Sequence, residues 1–104
     1  MKEKIKLSIG LYDQHTKKQE VDTYTAVDLI EKAVMATGVG GLSVYTGNGV
    51  YLHDDGTLVK EPSVFVEVYG WKLDSMKTAV QFIKRELNQE SISVEITQCQ
   101  VEFM

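Results

Sequence analysis

The stretch GGLSVYTGNGVYLHDDGTLVKEPSVFVEVYG, residues 40–70, decides the fold. Alternation of apolar and polar residues with a period of two is typical of a strand with one buried face. The polar run at residues 53–57 contains a glycine and predicts a turn between two such strands. The stretch therefore predicts one long β-hairpin. Its apolar even positions are Leu42, Val44, Val50, Leu52, Leu58, Val64, Val66 and Val68.

The apolar pattern also decides the length of the turn. Even positions must pair with even positions, because otherwise one strand would expose its apolar residues. A two-residue turn pairs even with odd positions, whereas a three-residue loop at Asp54–Gly56 pairs Leu52 with Leu58. We therefore expect the longer loop, with its glycine in the left-handed backbone region. The same register pairs Tyr45 with Phe65 on the opposite face.

The strand pattern is interrupted halfway along the hairpin. Glycines within strands, as in Gly47–Gly49, often mark a bulge or a bend. Pro62 has no N–H to donate to a ladder and disfavours a central strand. We expect the structure of the hairpin to change at Gly47–Gly49 and Pro62, where its regular strand pattern is interrupted. Its base, residues 41–46 and 63–70, belongs to the main sheet, and an arm, residues 50–61, projects beyond it.

Two further strands flank the hairpin in sequence. Odd positions from Ile5 to Leu11 are apolar and predict a first strand that faces the core with those positions. The last strand is expected to begin at Ser91. Its apolar phase switches after Ile96, which indicates either a bulge near Thr97–Gln98 or a tail that leaves the sheet.

Two helices are predicted from apolar residues at helical spacing. The first has Thr25 as the expected N-cap and Gly38 as the expected C-cap. The second has Asp74 or Ser75 as N-cap and Asn88 as C-cap. The polar loop before the first helix, residues 13–20, carries His15, which we expect to be exposed.

The element order βαββαβ predicts the fold class. Each helix must make a right-handed crossover, because strands one and three cannot join the strands that follow them in sequence by tight turns. The result is an α+β, ferredoxin-like fold over a single domain, residues 1–104. Its four-stranded antiparallel sheet has the order 4-1-3-2, with both helices on one face and the β2–β3 hairpin protruding.

Composition excludes several classes of protein. A net charge of −4 disfavours nucleic-acid binding, which needs a basic surface. With one cysteine, Cys99, the chain forms no internal disulfide. The sequence shows no signal peptide and no apolar run of membrane-spanning length, so we expect a cytoplasmic protein without a membrane partner.

The sheet face without helices is the expected functional surface. Exposed aromatic patches of this kind often mark interaction surfaces, although aromatics on a sheet also simply pack across strands. Glu67 lies between two aromatics of strand three and disfavours RNA binding there. The candidate interface or ligand residues are Tyr12, Tyr45, Tyr51, His53, Asp55, Phe65, Glu67 and Tyr69, and Ser63 lies on the same face.

No pattern indicates catalysis, a metal or a cofactor. The turn residues His53–Asp55 offer an imidazole and two carboxylates, but adjacent residues on a hairpin tip diverge, and Asp is common in turns. Cys99 has no neighbouring His or Cys and is expected to be a packed residue. The glycines at 38–41 follow a helix, whereas phosphate loops precede one.

Two resemblances extend this interpretation. Gly49–Tyr51, Asp54–Gly56 and Glu61–Ser63 resemble a segment of an uncharacterised family of small bacterial proteins. This resemblance covers about half of the chain and implies a ferredoxin-like fold. The βαββαβ order is also similar to PII-like signal proteins, and that resemblance implies trimers and nucleotide binding at the β2–β3 connection. Here that connection is a structured arm without a basic cluster.

Three functions remain open at this point. The first is a non-enzymatic module that self-associates, as a dimer or trimer, through the open sheet face and the arm. The second is a PII-like regulatory protein with a small-molecule ligand. The third is a cofactor-independent enzyme of the dimeric α+β-barrel type, which is disfavoured because the even core positions of the hairpin hold no ionisable residue.

Overall fold

A computed structural model describes residues 2–52, 55–70 and 73–104. The elements are β1 (Lys2–Gly10), α1 (Thr23–Met35), β2 (Ser43–Leu52), β3 (Leu58–Tyr69), α2 (Leu73–Glu86) and β4 (Ser93–Cys99). They form one antiparallel sheet of order β2-β3-β1-β4, which is the predicted order counted from the other edge. The fold class is therefore confirmed as α+β and ferredoxin-like. No described helix has the length and apolarity needed to cross a membrane.

The core lies between the sheet and the two helices. The odd residues of β1 from Ile5 to Ile9 and the even residues of the base of β3 are buried, as their alternation predicts. Ala26, Ile30 and Val34 of α1 and Met76, Ala79 and Ile83 of α2 cover them. Full burial of one such aliphatic side chain stabilises the fold by about 1.5–3 kcal/mol. The helices therefore fix which face of the sheet remains open.

The hairpin has the predicted register along its whole described length. Leu52 pairs with Leu58, and Tyr45 pairs with Phe65. Gly56 has φ 84°, the left-handed conformation that a Cβ would strain. Two residues of the expected turn, His53 and Asp54, lie outside the described residues.

The expected change of character at Gly47–Gly49 and Pro62 is wrong, because the ladder continues unbroken through all of these residues. The glycines instead make room for rings. A Cβ on Gly47 would lie 3.3 Å from the ring of Phe65, and one on Gly49 would collide with the ring of Tyr51. The arm projects for a different reason. β1 pairs with β3 only as far as Gly10, so residues beyond that point have no third strand beside them.

Several predicted boundaries are wrong in detail. Asp22, not Thr25, caps α1, and its carboxylate accepts from the N–H of Thr25 at 3.0 Å. Aspartate is at least as common at N-caps as threonine is, and Asp22 lies about one helical turn before Thr25, so the helix begins earlier than predicted. The helix ends at Met35 with Ala36 as C-cap, while Gly38, at φ 93°, closes the turn that follows.

The second helix and the last strand also differ from expectation. α2 already includes Asp74 and Ser75, so neither is its cap. β4 begins at Ser93 rather than Ser91, and its pairing with β1 is regular through Cys99. The predicted bulge is therefore absent there, and residues 100–104 leave the sheet, which was the alternative explanation of the phase switch.

Candidate functional site

A hollow opens on the helix-free face, where the arm leaves the sheet. It has a volume of about 790 Å³. Three segments form its walls: the end of β1 with the loop after it, the arm, and the turn between α2 and β4. Hollows of this size accommodate ligands as large as a nucleoside. The fold places it at the first point where β3 loses β1 as a neighbour.

The carboxylate of Glu61 lies across the floor of the hollow. Its Oε2 accepts a hydrogen bond of 3.0 Å from the backbone N–H of Tyr12. The side chain lies so close to Gly10 that a Cβ on that residue would collide with it. Among the described residues, no Lys or Arg nitrogen lies within salt-bridge distance of Glu61. The carboxylate therefore has a fixed position and no described cationic partner.

Glu61 and Phe65 also explain the burial of Ser63. This serine was expected on the open face, and by strand alternation it lies there, yet it is only 1% exposed. Its neighbours across the ladders are Gly10 and Gly47, which have no side chains. The long side chains of Glu61 and Phe65 lie over these two glycines and close over the serine between them.

A buried amide supports the wall formed by the loop. Gln89 is 7% exposed, and its Nε2 donates to the carbonyl of Tyr12 at 2.7 Å and to that of Leu87 at 3.3 Å. Gln89 also lines the hollow. The first of these hydrogen bonds connects the turn after α2 to Tyr12, the residue whose N–H holds Glu61. Tyr12 therefore links the floor of the hollow to this wall.

The charge around the hollow is acidic. Within residues 2–52, 55–70 and 73–104, four carboxylates and two lysines line it: Asp13, Asp55, Glu61, Glu90, Lys17 and Lys60. Asp13 is already engaged within the protein. Hydrogen bonds from the N–H of Thr16, the side chain of Asn88 and the N–H of His15 hold the pKa of Asp13 below its ordinary value. Positive charge on a ligand suits this environment better than negative charge.

Three of the predicted site residues lie at the hollow. Tyr12, Tyr51 and Asp55 all line it. The ring of Tyr51 lies over Gly49 and is held along the arm. The strand alternation predicted this face for both tyrosines.

The other predicted aromatics form a separate group on the flat part of the open face. Tyr45 and Phe65 are stacked, with ring centroids 5.2 Å apart and an interplanar angle of 20°. Nζ of Lys6 lies 5.5 Å from the centroid of Phe65 and 6.0 Å from that of Tyr45. Glu67 forms an ion pair with Lys4, with Oε1 and Nζ 3.6 Å apart. Tyr69 pairs with Lys4 in the ladder between β3 and β1 and is exposed. The structure does not bring this group together with the hollow.

His53 lies outside the described residues. Among the residues that are described, no cluster of three or more His, Cys, Asp or Glu side chains is placed to hold a metal ion.

Sequence reasoning missed Glu61, Gln89 and Asn88. A signal for Glu61 was available, because the pairing of Gly10 with Ser63, continued for two residues, places Tyr12 opposite Glu61. The other two residues belong to a turn that approaches the loop after β1 only in the folded chain. No periodicity in the sequence marks that contact.

Comparison with known proteins places the fold. No family model matches the sequence, and no curated protein matches it. Among solved structures, a phage SAM lyase in complex with S-methyl-5'-thioadenosine is similar over 93% of this chain and 81% of its own, at 24% identity and a TM-score of 0.66.

Two further solved structures are similar at lower sequence identity. The divalent cation tolerance protein CutA from Archaeoglobus fulgidus matches over 99% of this chain and 88% of its own, at 6% identity and a TM-score of 0.64. The B. subtilis GlnK–ATP complex matches over 92% and 81%, at 13% identity and a TM-score of 0.57. These likenesses establish the fold, which is the ferredoxin-like, PII-like fold that the element order predicted.

Proposed function

We propose that this protein binds a small adenosine-containing ligand with a positively charged group, in the hollow at the base of the arm. The observation that carries the proposal is the carboxylate of Glu61, held by the N–H of Tyr12 without a described cationic partner. A carboxylate in a fixed position, partly shielded from water, attracts a cation more strongly than a freely moving one.

The adenosine part is supported by the walls and by the similar structures. Tyr12 and Tyr51 offer aromatic rings on which a base stacks. One similar structure holds S-methyl-5'-thioadenosine and another holds ATP. The charge of the hollow favours the first kind of ligand over ATP, because a triphosphate would face four carboxylates and two lysines in the described part of the chain.

The test is isothermal titration with three adenosine compounds. S-Adenosylmethionine carries a sulfonium, and S-adenosylhomocysteine is the same molecule without the methyl group and its charge. We expect the sulfonium to bind about tenfold more tightly, equivalent to about 1.4 kcal/mol, and ATP to bind most weakly. Glu61→Gln should remove the preference for the sulfonium, and Glu31→Gln on the exposed side of α1 should keep it. Equal affinity for the first two compounds in the wild type would refute the charge assignment.

Cleavage of the sulfonium ligand is the second candidate function. Likeness to a phage SAM lyase over most of the chain favours it. Incubation with S-adenosylmethionine, followed by chromatography, measures release of S-methyl-5'-thioadenosine over many turnovers. Release that Glu61→Gln lowers supports an enzyme, whereas binding without release supports a binding protein.

We also propose that the protein acts as a homo-oligomer. The helix-side face of the arm exposes Val50 by 56%, Leu52 by 73% and Leu58 by 67%. Within the described residues, β1 pairs with β3 only as far as Gly10, so the arm has no third strand beside it and these side chains stay exposed. A second copy of the chain is the proposed occupant of this apolar surface.

A further inference from the structure

The loop after β1 is fastened to the turn after α2 by a group of hydrogen bonds across more than 70 residues of sequence. The backbone N–H of Gln14 donates to the carbonyl of Asn88 at 2.9 Å. The side chain of Asn88 makes three more contacts, with Asp13, Gln14 and His15. Asn88 therefore contacts three consecutive residues of a polar loop for which periodicity predicts no regular structure.

Asn88 uses both ends of its amide. Its Oδ1 accepts from Nε2 of Gln14 at 2.9 Å, and its Nδ2 lies 3.0 Å from Oδ2 of Asp13. Because a carboxylate only accepts, the orientation of the amide is fixed. Nδ2 also lies 3.0 Å from Nδ1 of His15, which must then accept and carry its ring proton on Nε2.

The backbone of Asn88 explains why this residue suits the position. Its φ is 48°, in the left-handed region at the end of a helix, where Gly and Asn are favoured. Glycine would fit the backbone there with less strain but would supply no amide. Asparagine meets both requirements, since it tolerates the conformation and hydrogen-bonds to the loop.

The fastened loop is a wall of the hollow. Tyr12, Asp13, Gln14 and Lys17 all line it. Within the loop, Oδ1 of Asp13 accepts from the N–H groups of His15 and Thr16 at 2.8 and 3.0 Å. The amide of Asn88 therefore binds Asp13, whose carboxylate also accepts the hydrogen bonds within the loop.

We propose that Asn88 is a positioning residue for the ligand hollow: it fixes the loop wall before ligand binds, so that the site is preformed. This inference rests on the proposed function for its effect on affinity. A preformed wall saves the ordering free energy that a loose loop would have to spend on binding. Loss of the amide should thus weaken binding while the fold persists.

The main test is Asn88→Gly, measured in the full chain by titration with S-adenosylmethionine. Glycine keeps the left-handed backbone and the bond from the N–H of Gln14, so the fold is retained. We expect the dissociation constant to rise about tenfold. Asn88→Asp keeps the acceptor for Gln14 but loses the donor to Asp13, and it should be equally impaired. Asp22→Ala, which removes the cap of α1 away from the hollow, serves as a control for lost stability and should bind as the wild type does.

A second measurement does not depend on any ligand. In the wild type, nitrogen NMR of His15 should show a protonated Nε2 and an accepting Nδ1, and the N–H groups of His15 and Thr16 should be protected from hydrogen exchange. In Asn88→Gly both signatures should be lost. If the wild type binds no probe but the signatures change as expected, the ligand proposal fails and the positioning of the loop stands. Unchanged signatures, or unchanged affinity in Asn88→Gly, would overturn the inference.

Discussion

The side chain of Glu61 occupies the space above Gly10 where any other residue would place its Cβ. The glycine therefore determines where the carboxylate lies, and the N–H of Tyr12 holds it there. In Gly10→Ala we expect the flexible glutamate to move aside, at a cost of about 1 kcal/mol or less for the lost hydrogen bond. Affinity for S-adenosylmethionine should fall as far as in Glu61→Gln, by about tenfold.

The comparison of these two variants by titration and thermal unfolding is informative. Gly47→Ala is the matched control, because it meets the ring of Phe65 rather than Glu61. If Gly10→Ala retained full affinity, the position of the carboxylate would not matter for binding.

The hydrogen bonds of Asp13 can be tested through the pH dependence of folding stability. Hydrogen bonds, first from the N–H of Thr16 and then from Asn88, hold its pKa below the ordinary value of about 4. A group with a lowered pKa stabilises the folded state above its unfolded pKa, and this contribution is lost as the pH falls through the folded value. We therefore expect Asp13→Asn to be less stable than the wild type at pH 7, and the difference to shrink by pH 3. Urea unfolding at both values measures it.

Glu31→Gln, on the exposed side of α1, is the control for general acid effects. The pH dependence that Asp13→Asn shows beyond that of Glu31→Gln is the part assigned to Asp13. A difference for Asp13→Asn that grew towards low pH would contradict the assigned sign.

The alternation of residues was enough to predict the strands and the hairpin register, and the order of the elements predicted the order of the sheet. The register follows from burying one face, because the three-residue loop pairs Leu52 with Leu58 and a two-residue turn would have paired even with odd positions. Features that depend on contact between distant segments were not accessible. Gly47 and Gly49 looked like the site of a bulge, because the sequence does not reveal that the rings of Phe65 and Tyr51 occupy the space beside them.

The candidate site divides in the same way. Tyr12 and Tyr51 were predicted because strand alternation alone assigns them to the open face. Glu61 and Asn88 were not, since their importance comes from Gly10 and Asp13, which approach them only in three dimensions. The start of α1 was predicted one turn too late, because both Asp22 and Thr25 have side chains that can cap a helix.

Two adjacent residues of α2 test the assignment of the core. Ile83 is fully buried, whereas its neighbour Phe82 is 39% exposed. Ile83→Ala should lower the free energy of unfolding by about 2–5 kcal/mol, because it leaves a cavity beneath the sheet. Phe82→Ala should cost clearly less, although it removes more atoms. Chemical unfolding of both variants measures the difference. A larger loss of unfolding free energy for Phe82→Ala would show that the face of α2 assigned to the core is wrong.

The arm tests self-association. Leu58 is exposed by 67% opposite Leu52, and in an oligomer both would be buried against a second copy. Leu58→Glu should weaken association at least about tenfold, because it places an unpaired charge in an apolar contact, and it should leave the folded monomer intact. Sedimentation over a range of micromolar concentrations measures the change in mass. Tyr24→Glu, at a 90% exposed position of α1, is the matched control and should associate as the wild type does. A wild-type protein that sediments as a monomer throughout, or a Leu58→Glu variant with unchanged mass, would show that the arm is not the contact.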